Sequence, residues 1–406
     1  MNLKNETNIN IVKGRERLLW VFSAATFIIF FQAYMIAPLI PKMASLFKVS
    51  EQTLGYLIPA YLIPYAITTL FYGLLSDRIS AKIIISLSLL AFVVLTALTA
   101  TAHNAEQLIW WRLATGIGAS GVVPIALALT GRFFPYEERG RPLGWLFGAM
   151  AGGAAFGSTL GVIAEPLIGW RFLFISVAGL GFIILIFLYF ILEKLELKAA
   201  PAGTLTFKKM LNGYFKLLSF GRGLRTYLYV FLNGLFHSGV FTWLGVYFKE
   251  RYGLGELGIG LALLGYGIPG FLLGPYIGKI ADLKGRRWLL PFGLAVSGMA
   301  VLVLVFQVPL LIAALAITVL SLGYDLTQPL LAGIVTDVGK NQPGQAMGLN
   351  VFMLFMGFGI GSFLFGQLLS IGLSAALIIF ILFQTALFLV GLKVFKSERK
   401  QQLIVK

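Results

Sequence analysis

Gly73-Leu74-Leu75-Ser76-Asp77-Arg78-Ile79-Ser80-Ala81-Lys82 and Gly278-Lys279-Ile280-Ala281-Asp282-Leu283-Lys284-Gly285-Arg286-Arg287 read as two copies of one short loop. Glycine, aspartate and the closing base recur at a single offset of 205 residues. A second echo follows further on. Gly140, Gly144, Gly153, Gly157 and Ser158 match Gly344, Gly348, Gly357, Gly361 and Ser362 at an offset of 204. In a chain with 47 glycines one coincidence of spacing means little. Two blocks at nearly one offset, each at the equivalent place in its half, mark an internal duplication.

Around these loops the sequence is strongly apolar. Of its 406 residues 58% are hydrophobic and 12% charged, and the mean hydropathy is +0.89. A soluble domain of this size cannot hide that much apolar surface, whereas a lipid-facing one has no need to. A ruler of about 20 apolar residues per crossing places spans near 18–40, 53–75, 83–102, 107–131, 143–164 and 170–192. After a polar break, further spans lie near 226–248, 257–278, 288–306, 309–334, 346–370 and 372–395. The expected fold is all-α and membrane-integral, with twelve transmembrane helices in two pseudo-symmetric six-helix bundles. The bundles are expected at 1–192 and 226–406, the second ending in a short cytoplasmic tail, with a linker at 193–225. Within the linker, 207–220 has the pattern of an amphipathic helix lying on the membrane; a solvated linker fits the composition equally well. Parallel repeats imply a pseudo-two-fold axis along the membrane normal and a substrate path between the halves.

The formal charge of +16 would suggest nucleic acid in a soluble chain. Its placement argues otherwise. With the N-terminus in the cytoplasm, 26 of the 32 Lys and Arg fall in cytoplasmic segments and five outside (Lys42, Lys48, Arg171, Lys249 and Arg251), while Arg112 lies within a span. The charge is therefore a topogenic signal facing anionic lipid, and no nucleic-acid partner is expected. The expected location is the inner membrane, crossed many times, with both termini cytoplasmic. The first apolar run is too long for a signal peptide and lacks a small-residue cleavage site, so it reads as a retained helix. With no cysteine and two histidines the chain offers no disulfide framework and no zinc cluster. It has no Gly-Lys-Ser phosphate loop either, so no metal, cofactor or ATP site is expected.

The two loops quoted first resemble the signature loop of the major facilitator superfamily. The second copy is nearly complete. The first departs at Ser80, where the family usually has glycine, and at Ala81, where it often has a base. The resemblance implies a monomeric secondary transporter of a small molecule, often driven by protons. In the family this loop is thought to latch the halves together on the cytoplasmic side, which assigns that role here to Gly73, Asp77, Arg78, Lys82, Gly278, Asp282, Gly285, Arg286 and Arg287. The physical case is that glycine lets helices approach closely, and that an aspartate can cap a helix N-terminus or pair with a base. The simpler alternative is a topogenic basic loop with a tight turn.

Few ionisable residues lie inside spans, where they are costly and so become candidates for function. Arg112, in Trp111-Arg112-Leu113-Ala114-Thr115-Gly116-Ile117-Gly118, resembles the fourth-helix arginine motif of the family. Snorkelling to the outer interface is its structural alternative. Many proton-coupled exporters of the family set a carboxylate on the first helix against that arginine. Here the first span reads Phe31-Gln32-Ala33-Tyr34 and has none, so Gln32 can bond Arg112 but cannot titrate. Asp325, near the middle of the tenth span, is the candidate proton carrier, with Pro329 loosening the backbone one turn later. His237 and Asn233 share one face of the seventh span and could line the path or simply fill the core. Tyr34, Tyr61, Tyr65, Phe236, Trp243 and Phe355 are further lining candidates. Glu165 ends the fifth span beside Pro166, at the external mouth or the interface.

The fifth span carries Gly148, Gly152, Gly153, Gly157 and Gly161. This stripe partly resembles the motif of the antiporter branch, with Ser158 where that branch has proline, and it suits close packing between the halves. The expected function is proton-coupled export of a lipophilic or amphipathic molecule, with import of a polar metabolite on the same fold as the alternative. A sugar site would want more Asn, Gln and Trp in the spans, and a dianion site would want a second cavity base. An intramembrane enzyme or receptor is the remote third reading, because no nucleophile–base or metal constellation is evident.

Overall fold

The computed structural model describes residues 2–50, 53–54, 56–76, 79–193, 207–219 and 221–398. All regular structure among these is helical. Eight helices among the described residues are apolar and long enough to cross a bilayer. One of them, Gly140–Leu192, runs for 53 residues, roughly twice what a hydrocarbon layer of about 30 Å requires. Gly169, at φ +77° and ψ 152°, breaks it into the fifth and sixth spans. Only glycine takes that conformation without strain. Pro59–Ser76, Gly221–Thr242 and Leu289–Val305 supply three more spans. The chain thus crosses the membrane twelve times, in two six-helix bundles.

In order, the first four spans are Gly14–Leu39, Pro59–Ser76, Ala81–Thr99 and Ala105–Phe133. The fifth and sixth are the two arms about Gly169. The seventh is Gly221–Thr242, continued by Leu244–Tyr252. The eighth to twelfth are Leu257–Lys284, Leu289–Val305, Leu310–Val338, Pro343–Ile371 and Leu373–Ser397. The helix of the seventh span begins at Gly221 rather than near 226, which brings Arg222 and Arg225 into its first turns. Of the expected linker, 194–206 lies outside the described residues, while Phe207–Ser219 is a helix.

The duplication extends to the bends. The fourth span stops at Ala119 and resumes at Val122; the tenth stops at Asp325 and resumes at Gln328. Pro124 and Pro329, 205 residues apart, follow these gaps. Each proline lacks an N–H and crowds the carbonyl four residues back, at Ser120 and Asp325. The first span breaks around Pro38 and the seventh at Trp243, again 205 apart.

Between the bundles, side chains give way to backbone. Gly140, Gly144 and Gly148 of the fifth span face Gly278, Gly274 and Gly270 of the eighth, and a Cβ at any of them would collide with the opposite main chain or, at Gly270, with Asp325. The symmetry-equivalent seam joins Gly73 of the second span to Gly344 and Gly348 of the eleventh. The fifth-span stripe is not one interface, however. Gly152 meets Phe271 of the other half, but Gly153, Gly157 and Gly161 lie against Phe27, Phe31 and Met35 of the first span, inside their own bundle. The expectation that all five pack between the halves is therefore corrected. Residues 148 and 152 form one i,i+4 line, and 153, 157 and 161 another, turned about 100° away.

Candidate functional site

The candidate site comprises the expected latch residues at the basic end of the molecule and two polar centres in the membrane, one in each half. At the latch, Asp282 accepts hydrogen bonds from the Gly140 N–H at 2.9 Å to each oxygen and from the Arg141 N–H at 3.4 Å. It thus caps the N-terminus of the fifth span from the opposite half, where the helix dipole favours a negative charge. Arg286 donates to Asp282 at 3.3 Å and lies over the Tyr136 ring at 4.6 Å. Gly285, at φ +79°, makes the turn between them possible. Arg139 also crosses the seam, donating to Phe134 O at 2.8 Å in its own half and to Thr336 Oγ1 at 3.2 Å in the other.

Two latch assignments change. Lys82 lies over Tyr189 at 5.0 Å, within its own bundle, and Arg287 over its neighbour Trp288 at 4.7 Å, so neither base bridges the halves by these contacts. Asp77 and Arg78 lie outside the described residues. The sequence reading missed the tail: Glu398 accepts from Arg222 at 2.9 Å through each oxygen and from Arg225, while its carbonyl receives the N–H groups of Arg286 and Arg287. Arg222 also pairs with Asp337 at 2.5 Å and reaches Tyr136 Oη at 3.4 Å. Burial pushes the Tyr136 phenol up from its ordinary value, so it stays protonated among these charges.

In the N-terminal half Arg112 is fully buried. Its Nη1 donates to Gln32 Oε1 at 2.8 Å and Gln32 O at 3.3 Å, its Nη2 to Ala33 O at 2.8 Å and its Nε to Leu57 O at 3.2 Å. The guanidinium lies 4.4 Å from the Tyr61 ring centroid. The first helix ends at Tyr34, so Gln32 and Ala33 carry carbonyls left without helical partners. Arg112 caps that end, where the dipole favours a cation. These carbonyls, one amide and one π face explain how a buried guanidinium persists with no carboxylate beside it among the described residues.

In the C-terminal half Asp325 is the last residue before the bend, 1% exposed. Its Oδ2 accepts from Ser321 Oγ at 3.4 Å, and its Oδ1 has no partner among the described residues. The carboxylate faces Gly270, where a Cβ would stand 2.5 Å from Oδ1. Gly270 in turn backs onto Gly148, so only one glycine separates Asp325 from the seam. Tyr34 of the first span stacks on Phe30 at 6.4 Å, and Phe30 in turn meets Phe355 of the other half.

Asn233 and His237 brace the same bend. Asn233 Nδ2 donates to Thr327 Oγ1 at 2.8 Å, and Thr327 donates in turn to the carbonyls of Gly323 and Tyr324. His237 Nε2 pairs with Ser297 Oγ at 3.0 Å, and its ring meets Tyr324 edge-on at 5.1 Å. Phe355 bridges Phe30 and Tyr65 of the other half at 6.0 and 5.0 Å. Phe236 instead packs on Phe380 in its own core, and Trp243 bonds Ser362 O, so neither joins this cluster. Glu165 pairs with Lys42 in its own half. Asn350 escaped the sequence reading: it is 1% exposed, and neither amide atom has a partner among the described residues. An amide within an apolar run was the available signal.

A model of the Major Facilitator Superfamily matches residues 22–265 and 254–405. The uncharacterized MFS-type transporter YceJ of Bacillus subtilis (strain 168) is 24% identical over 351 residues, 86% of this chain and 88% of its own. The quinolone resistance protein NorA of Staphylococcus aureus (strain MSSA476) is 23% identical over 351 residues, 86% and 89% of the two chains. Among solved structures, the human organic anion transporter MFSD10 (TETRAN) aligns over 94% of this chain and 99% of its own, at a TM-score of 0.75 and 17% identity. The proton:xylose symporter XylE covers 93% and 95% at 0.71 and 15%. Likeness at those identities speaks to the fold. The two matched stretches take in nearly all of a chain whose twelve spans form paired bundles, and the protein accordingly belongs to the major facilitator superfamily, as a transporter and not an enzyme.

Proposed function

We propose that the protein exports a lipophilic or amphipathic small molecule in exchange for protons, by alternating access between halves 1–192 and 226–406. The segment 193–225 joins the halves, and both termini face the cytoplasm at the inner membrane. The observation that carries this reading is Asp325: a buried carboxylate one glycine from the seam, with an oxygen that no described residue answers. The charged form wants water or a cation at that oxygen, and the acid does not, so protonation can follow the opening and closing of the halves. Tyr34, Asn233 and His237 shape the path around it, and Arg112 with Gln32 holds the first span in register. The basic asymmetry supports the orientation, and the relative named for quinolone resistance supports export of a drug-like molecule.

The test is uptake of lipophilic dyes and drugs into everted vesicles under an imposed proton gradient. The expected result is gradient-dependent uptake that Asp325→Asn abolishes. Uptake unchanged by the substitution removes Asp325 from coupling. No uptake of any compound by folded protein, with right-side-out uptake of a polar solute instead, overturns export in favour of import.

A further inference from the structure

At the basic end, the helix Phe207–Ser219 and the loop before the eleventh span enclose a cavity of about 420 Å³. Its wall includes Gly213 and Lys216 of the helix, Arg222 of the seventh span, and Lys340, Asn341 and Gln342 of the loop, with no carboxylate among the lining residues. Arg222 is already matched by Asp337 and Glu398. The excess charge is therefore that of Lys216 and Lys340, which have no ion pair among the described residues. Two ammonium groups flanked by side-chain amides form a receptor for a phosphate oxyanion.

The helix itself indicates where such a phosphate comes from. Tyr214 and Leu217 are buried against the bundle, whereas Leu211 and Phe215, one turn apart, are 38% and 65% exposed. Exposed apolar side chains beside a cation are the pattern of a helix lying in the membrane interface. At that depth Phe215 meets acyl chains while Lys216 stands at the headgroups.

We infer that this cavity binds the phosphate headgroup of an anionic phospholipid, with its chains running past Phe215. A headgroup held there ties the short helix to the loop before the eleventh span. The helix is already joined to the other half by Tyr214 Oη, which donates to Leu70 O at 2.5 Å, and Gly213 lies against Gln345. The bound lipid therefore favours the arrangement in which the basic end is closed, whatever the direction or coupling of transport.

The test is thermal unfolding of the full chain in a neutral detergent, titrated with dioleoyl phosphatidylglycerol, dioleoyl phosphatidylcholine or glycerol phosphate. Native mass spectrometry of retained lipid gives a second readout that does not depend on stability. The expected result is stabilisation and retention with phosphatidylglycerol alone. Lys216→Gln with Lys340→Gln weakens its apparent affinity about thirtyfold. Lys279→Gln with Lys284→Gln, which removes equal charge elsewhere at that end, leaves it unchanged. Equal losses in both double variants, or none in either, overturn the site. An equal effect of glycerol phosphate overturns the lipid assignment.

Discussion

The two bundles repeat one scaffold and carry ionisable groups of opposite kind at their centres. The N-terminal half buries a guanidinium whose donors meet three carbonyls and an amide oxygen. The C-terminal half buries a carboxylate with one oxygen unanswered among the described residues. A group whose partners are all in place acts as a pin, and moving it costs every bond at once. A group left short of partners responds to whatever arrives, whether water, proton or substrate. Duplication supplied the same bends to both halves, but only the tenth span sets an acid at its bend; Ser120 stands at the equivalent place in the fourth, and Arg112 lies about two turns before it.

The sharpest test of that division is to alter each centre in turn. Asp325→Asn is expected to reduce gradient-driven transport to that of vesicles lacking the protein while leaving thermal stability within about 1 kcal/mol, since the exchange is nearly isosteric. Arg112→Lys should do the reverse in kind. A lysine cannot reach Gln32, Ala33 and Leu57 together, and losing one or more charged hydrogen bonds costs about 3 kcal/mol in unfolding experiments. If Arg112→Lys left stability intact and stopped transport, the pin would have to be redrawn as part of the switch.

Next in size is the seam. Gly278→Val forces a side chain into the Gly140 main chain; overpacking of about 1–3 kcal/mol corresponds to a shift of roughly fivefold to 150-fold toward an open basic end. The natural chain has no cysteine, so the rate at which a thiol reagent labels a single cysteine at Ala281, 1% exposed, measures that shift directly. An unchanged rate would mean that the seam is not what closes this end. The smallest effect belongs to Lys82→Gln. It removes a cation–π contact of about 0.5–1 kcal/mol within one bundle and should leave Ala281 labelling unchanged. A large change would restore Lys82 to the latch.

Much of this could be read from the sequence, because hydropathy and glycine spacing record what lipid and close packing demand. The twelve crossings, the repeat, and the residues Gln32, Arg112, Asp325, Asn233 and His237 all stood out as polar groups where apolar ones were due. What did not stand out depends on direction. Gly148 and Gly153 look alike in a string, yet they sit on different faces of one helix and serve different neighbours. The closing bases of the two signature loops, Lys82 and Arg287, turn toward Tyr189 and Trp288, while Arg286, where the first loop has Ala81, turns toward Asp282. Glu398 gave no signal because it follows the last apolar run, where a charge is ordinary. Its role comes from Arg222 and Arg225, 176 and 173 residues away.

The glycine-on-glycine contact of the fifth and eighth spans has a mechanical meaning. Helices that interdigitate are geared: to slip, each knob must climb out of its hole, and the motion proceeds in steps. From Gly140 to Gly148 against Gly270 to Gly278 the teeth are missing, and two bare backbones touch along a line. Such a joint is a plain bearing. It resists separation through close dispersion contact, yet it can roll with no rotamer to unlock. On the proposed mechanism the holding torque comes from the basic end, where Asp282 grips the first turn of the opposite helix and Arg139 reaches Thr336 across the seam, and there the brake would sit.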